Sequence, residues 1–118
     1  MSRVEGQAGE DLASEVLVRN RYRILEKNYH SRFGEIDIIA EKNRIIHFIE
    51  VKYRKNQGFG LPQEFVTKSK INKILKTAKI YLYENEEKSR DWQLDVFAIE
   101  KGSNKCEFFE NILIEGLS

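Results

Sequence analysis

Between Ile36 and Val51 the chain is apolar and β-branched almost throughout, with Ile-Asp-Ile-Ile-Ala at 36–40 and Arg-Ile-Ile-His-Phe-Ile-Glu-Val at 44–51. Runs of this kind predict strands, and strands apolar on both faces belong in the middle of a sheet. Lys42-Asn43 supplies the turn between them, since Asn tolerates a left-handed backbone. On either side of this hairpin the period becomes helical. Ala8, Leu12, Ala13, Val16 and Leu17 predict a helix over 5–20. Ile71, Ile74, Leu75, Ala78 and Leu82 predict a second, capped by Thr67 and ending near Glu84. Tyr22–Glu26 reads as a short strand, and Asn28 to Gly34 as a polar connector into the hairpin. The stretch from Tyr53 to Pro62 has two glycines and the only proline, which makes it a loop. Trp92–Glu100 and Lys105–Ile114 predict a closing hairpin across Gly102-Ser103-Asn104. The order is therefore α/β: one domain over 1–118, with a mixed five-stranded sheet flanked by helices.

Three ionisable residues, Asp37, Glu50 and Lys52, interrupt the central hairpin. Side chains alternate along a strand, so Glu50 and Lys52 share a face. With Lys42-Asn43 as a two-residue loop, Glu41 pairs with Arg44 and Asp37 lies opposite Phe48, diagonal to Glu50 on the same face. Ile36, Ile38, Ala40, Ile45, Ile49 and Val51 make the other, core-facing side, and His47 falls there as a structural histidine. Two carboxylates beside a lysine are what a divalent-metal phosphodiester hydrolase requires. Oxygen ligands hold Mg²⁺, which leaves coordination positions for water and phosphate. The metal activates the water, and the lysine steadies growing phosphate charge. Cross-strand ion pairing on a solvent face is the plainer alternative. Against it, Ile39, Ile46 and Phe48 share the charged face, so the site is expected to be partly enclosed. Glu10 lies about 20° around the helix axis from Leu17. It is either a first-turn acid favoured by the helix dipole or a third oxygen donor projected over the hairpin.

Composition adds little until charge is followed along the chain. The 118 residues carry 20 basic and 19 acidic side chains, a net charge of +1. Residues 52–79 hold eight basic residues against Glu64, a local charge of +7. A local basic stripe is what phosphate contact requires. Within it Lys70, Lys73, Lys76 and Lys79 step by three along a helix face, with no acid between Glu64 and Glu84 to balance them. The face is either simply solvated or directed at phosphates. The single cysteine, Cys106, excludes an internal disulfide and a cysteine-based zinc site, and is expected as a small core or flank residue. No second histidine stands at metal spacing beside His47, and His30 reads as a solvated loop residue, so zinc is not expected. No apolar run is long enough for a membrane span and the acidic start is not a secretion signal, so the cytoplasm is the expected location.

Gly34-Glu35-Ile36-Asp37 followed by Glu50-Val51-Lys52 resembles the D…ExK core of the PD-(D/E)XK, restriction-endonuclease-like nucleases. Within them the chain resembles the YraN family, uncharacterised bacterial proteins related to Holliday junction resolvases. The resemblance spans nearly the whole chain. It takes in Gly6-x-x-Gly9-Glu10, Asn28, the Gly34–Ala40 block, Phe48-Ile49-Glu50-Val51-Lys52-Tyr53-Arg54, the lysine-rich helix, Asp95 and Asn111. It implies a restriction-endonuclease-like fold, with Glu10, Asp37 and Glu50 as ligands of Mg²⁺ (or Mn²⁺) and Lys52 as the catalytic lysine. The superfamily's Pro is absent, and Gln93-Leu94 replaces an Arg-aromatic pair often seen before Asp95. DNA, branched in the resolvase relatives, is the implied substrate, gripped by Arg54, Lys55, Lys70, Lys73 and Lys76. A symmetric homodimer follows from the need to cut two strands, with the edge near Phe108-Phe109 as a candidate surface. The alternative is a nuclease fold that binds nucleic acid or a protein without cutting. Asp95, in an apolar strand, reads as a structural acid bonding a backbone end or an arginine.

Overall fold

The computed structural model describes residues 3–54, 66–103 and 105–112. Helix α1 (Arg3–Arg19) leads into strands β1 (Arg23–Ser31), β2 (Gly34–Lys42) and β3 (Ile45–Arg54). Helix α2 (Lys68–Glu84) follows, then β4 (Trp92–Glu100) and β5 (Cys106–Phe109). The five strands form one sheet in chain order. Pairing is antiparallel except for β3 and β4, which run parallel because α2 carries the chain back between them.

Each helix covers one face. Ile39, Ile46, Phe48, Leu94 and Val96 pack with Ile71, Ile74, Ala78, Tyr81 and Leu82 of α2. Ile38, Ala40, Ile49, Val51, Phe97 and Ile99 pack with Ala13 and Leu17 of α1. Both faces of β3 and β4 are therefore dry, which explains their unbroken apolar runs. In α1 the inward stripe is Gly9, Ala13 and Leu17, while Ala8 is exposed. A Cβ on Gly9 would lie 2.7 Å from the Tyr53 ring, so the missing side chain sets how closely α1 approaches the end of β3.

Several local expectations are corrected. The hairpin turn is Asn43-Arg44, with φ of 52° and 67°, and Lys42 pairs with Ile45. Arg90 decides this from afar, donating to the Arg44 carbonyl and pairing with Glu41. The shift keeps Ile38, Ala40, Ile49 and Val51 on one face and Ile39, Ile46 and Phe48 on the other as expected, but Ile36 packs with the second group rather than the first, and the two-residue slip carries Asp37 toward Glu50 instead of Phe48. The stretch from Asn28 to Ser31 is strand, not connector: β1 is an edge strand, and its polar residues suit the uncovered positions there. At the other edge, β5 is four residues long where the expected strand began at Lys105, and of the two places expected for Cys106 the exposed flank holds and the core does not. Residues 55–65, with Lys55 and the glycine loop, lie outside the described residues.

Candidate metal centre

The site grows from a fork in the sheet. The β2–β3 ladder runs from Lys42↔Ile45 to Ile38↔Ile49. Beyond that pair the Val51 N–H donates to the Asp37 carboxylate, at 2.8 Å. Strand alternation breaks at the same place. Ile36 packs on the α2 side although Ile38, two residues on, packs on the α1 side. Asn28, paired across from this segment on β1, takes a left-handed backbone with φ of 54°. Asp37 thus sits in the gap between parting strands, within reach of both faces.

Each face sends it a second acid. Glu50 of β3 is 6% exposed and its carboxyl lies beside that of Asp37. Burial, then the Asp37 charge and its carboxyl oxygens push the Glu50 carboxyl up to about 8, against the partial relief given by Lys70 and Lys52. Glu10 arrives from α1. Its carboxyl is also raised, by burial first and by Asp37 second, with the Asn28 side chain acting in the lowering direction. One oxygen of each acid, Glu10 Oε1 and Glu50 Oε1, is buried and accepts no hydrogen bond from the protein. A buried oxygen left this way costs about 1–3 kcal/mol. Three hard-oxygen carboxylates meet here, two with an open buried acceptor and two raised first by burial; their oxygens do not all lie within 4.8 Å of one another, so an ion held by all three would have to draw them together.

Lys52, half-buried, follows Glu50 by two residues on the same strand. Lys70, on the first turn of α2, was placed by sequence among the phosphate-binding lysines. Its Nζ lies 3.6 Å from Glu50 Oε2, so it belongs to the acid cluster as well. Lys73 and Lys76 are exposed on the same helix, and the Lys76 Nζ lies 5.2 Å from the Phe33 ring centre. Arg54 is turned elsewhere, its guanidinium 2.6 Å from Glu107 of β5. Asn28 had no assigned role in the sequence reading; its influence on Glu10 depends on a backbone conformation that only its residue type hinted at.

A second polar cluster lies on β3 and β4 at the other side of the core. His47 Nδ1 is 2.6 Å from Asp95 Oδ2, and Asp95 Oδ1 accepts from the Gln93 side chain and the Asn111 N–H. Potential ligand atoms of His47, Asp95 and Glu110 all lie within 4.8 Å of one another. Both oxygens of Asp95 are already engaged, however, and His47 holds the place expected of a structural histidine. Tyr22 closes the group, its ring 5.0 Å from that of His47. Burial, and next the Glu110 charge, push its hydroxyl up to about 12.

The profile of the uncharacterised protein family UPF0102 matches residues 9–99, a span that holds Glu10, Asp37, Glu50, Lys52 and Asp95 together. The chain belongs to UPF0102. This is the YraN family that the motifs resemble. UPF0102 proteins share much of its sequence. One from Persephonella marina is 45% identical over 81% of this chain and 83% of its own length. One from Fusobacterium nucleatum is 44% identical over 92% of this chain and 89% of its own. A third, from Sulfurimonas denitrificans, is 48% identical over 72% of this chain and 76% of its own. No helix among the described residues of this UPF0102 chain is long and apolar enough to cross a membrane.

Proposed function

We propose that the chain is a metal-dependent nuclease with a restriction-endonuclease-like fold, hydrolysing DNA phosphodiester bonds. The observation that carries this reading is the pair of buried, unpartnered oxygens of Glu10 and Glu50 gathered around Asp37. Glu10, Asp37 and Glu50 would hold Mg²⁺ or Mn²⁺. When bound, the ion supplies a polarised phosphoryl oxygen and a more acidic water. The remaining work falls to the chain itself. The Val51 N–H fixes Asp37. Lys52 offers its ammonium to the attacking water or to the phosphate oxygen on which charge grows. Lys73 and Lys76 hold neighbouring phosphates without reading sequence. Branched DNA and a symmetric dimer are carried over from the resolvase resemblance.

The test is incubation of purified protein with linear, nicked, flapped and four-way DNA, in Mg²⁺ or Mn²⁺ and in EDTA. Cleavage of at least one substrate is expected in metal alone. Glu50→Ala and Lys52→Ala should lower it about a hundredfold or more while DNA stays bound. Retention of DNA with no cleavage of any substrate in metal would favour a non-catalytic binding module. Cleavage unchanged by both substitutions would remove the proposed centre.

A further inference from the structure

Lys70 stands apart from the other lysines of α2. Its backbone N–H is held by the Thr67 hydroxyl at 3.1 Å, which fixes its root at the capped end of the helix. From there the side chain reaches Glu50, with Nζ 3.6 Å from Oε2. The two ends of this pair differ in freedom: the lysine side chain is 45% exposed and the glutamate 8%. At 3.6 Å the contact is Coulombic rather than a tight hydrogen bond, and an ammonium on a four-carbon stem can leave it without any backbone movement. The ammonium therefore occupies the edge of the carboxylate cluster as a monovalent counter-charge. A divalent ion among Glu10, Asp37 and Glu50 would place two positive charges beside it. Repulsion would then turn the ammonium outward, to the side on which Lys73 and Lys76 are exposed.

We infer that Lys70 is a metal-released phosphate clamp: in the metal-free protein it is held against Glu50 at the edge of the carboxylate cluster, and metal binding frees it to hold the DNA phosphate nearest the centre. The inference rests on the nuclease reading above and adds a regulated contact to it. Metal and DNA binding are then thermodynamically coupled through one side chain, and the coupling is reciprocal. A metal-free chain would grip DNA with one phosphate contact fewer, so that it holds substrate firmly only when able to cut it.

The experiment measures DNA affinity against salt for wild type, Lys70→Gln and Lys73→Gln, in EDTA and in saturating Ca²⁺. Each phosphate contact contributes about 0.9 to the slope of log affinity on log salt. Lys70→Gln should match wild type in EDTA but lose about one contact's slope, about 0.9, in Ca²⁺. Its affinity gain from Ca²⁺ should fall from about tenfold to about threefold, a partial loss because the ion itself also attracts phosphate. Lys73→Gln should lose the same slope in both conditions. Lys70→Arg, which keeps the charge, should restore the Ca²⁺ slope. If Lys70→Gln lowers the slope equally in both conditions, Lys70 is an ordinary phosphate contact and the inference fails. If it changes neither, the pair with Glu50 is structural and the inference fails. Either result leaves the nuclease reading standing, whereas a wild-type chain that neither binds nor cuts DNA overturns that reading as well.

Discussion

The molecule carries two clusters of acids around β3, and they are opposites. At His47, Asp95 and Tyr22 the polar atoms answer one another: Asp95 is 0% exposed, yet both its oxygens accept hydrogen bonds. At Glu10, Asp37 and Glu50 the acids crowd together, two of their oxygens accept nothing, and two of the carboxyls are raised. The first cluster joins β3 to β4 and ties down Asn111 beyond β5. The second leaves buried acceptor oxygens without hydrogen-bond partners, which costs stability where it stands. Either cluster could be mistaken for a metal site from residue types alone. Ligand-atom spacing alone favours the first, where His47, Asp95 and Glu110 lie within 4.8 Å of one another; the unpartnered oxygens of the second are what the proposal above rests on.

That contrast can be broken by mutation, since the two clusters should respond in opposite directions. The largest effect is expected at the satisfied one. Asp95→Ala leaves His47 buried without its partner and should lower unfolding free energy by about 3–5 kcal/mol in urea titrations. Glu50→Gln should instead stabilise the metal-free fold, by about 1–3 kcal/mol at pH 8 or above, by removing a charge that is buried beside Asp37. Stabilisation of the Asp95 variant, or destabilisation of the Glu50 variant, would reverse the assignment. Gly9→Ala pushes a methyl into the Tyr53 ring and should cost about 1–3 kcal/mol, since the ring or the helix must shift. Its telling consequence is weaker metal binding, because α1 is what delivers Glu10; a stability loss with metal affinity unchanged would separate the helix from the site.

The pH dependence sharpens the same comparison and is the gentlest probe. In the folded chain burial and the neighbouring Asp37 push the Glu50 carboxyl up to about 8, from its ordinary 4.5. Native protein therefore binds more protons across that window, and its stability falls as pH rises through it. Thermal melts of metal-free protein should show this decline, and Glu50→Gln should flatten it. A wild-type curve that rises from pH 5 to 8 would contradict the crowding of Glu50 and Asp37.

Much of the fold was legible because its signals are local. Thr67 caps α2 and the helix ends at Glu84, as the polar and apolar spacing predicts, and β4 spans Trp92–Glu100 as read. Asp37 and Glu50 shared a face in the sequence reading, and the corrected register carries Asp37 toward Glu50. What escaped was decided at a distance. The turn sits at Asn43-Arg44 because Arg90, far along the chain, binds the Arg44 carbonyl. His47 meets Asp95 only through the parallel register of β3 on β4, which no hairpin rule supplies. The last turns of β1 looked like a connector because an edge strand has few positions that must be apolar. Helical angle put Glu10 near the inward face but could not say which acid it would meet. The lysine row announced a basic face, while the reach of Lys70 to Glu50 depends on how α2 is docked.

The most direct measurement is calorimetric titration of Mn²⁺ into the metal-free protein, with Glu50→Gln and Asp95→Asn alongside. Saturable binding of one or two ions per chain is expected, abolished by Glu50→Gln and retained by Asp95→Asn. Binding that survives Glu50→Gln and disappears with Asp95→Asn, or no binding at all, would contradict a metal centre at the strand fork.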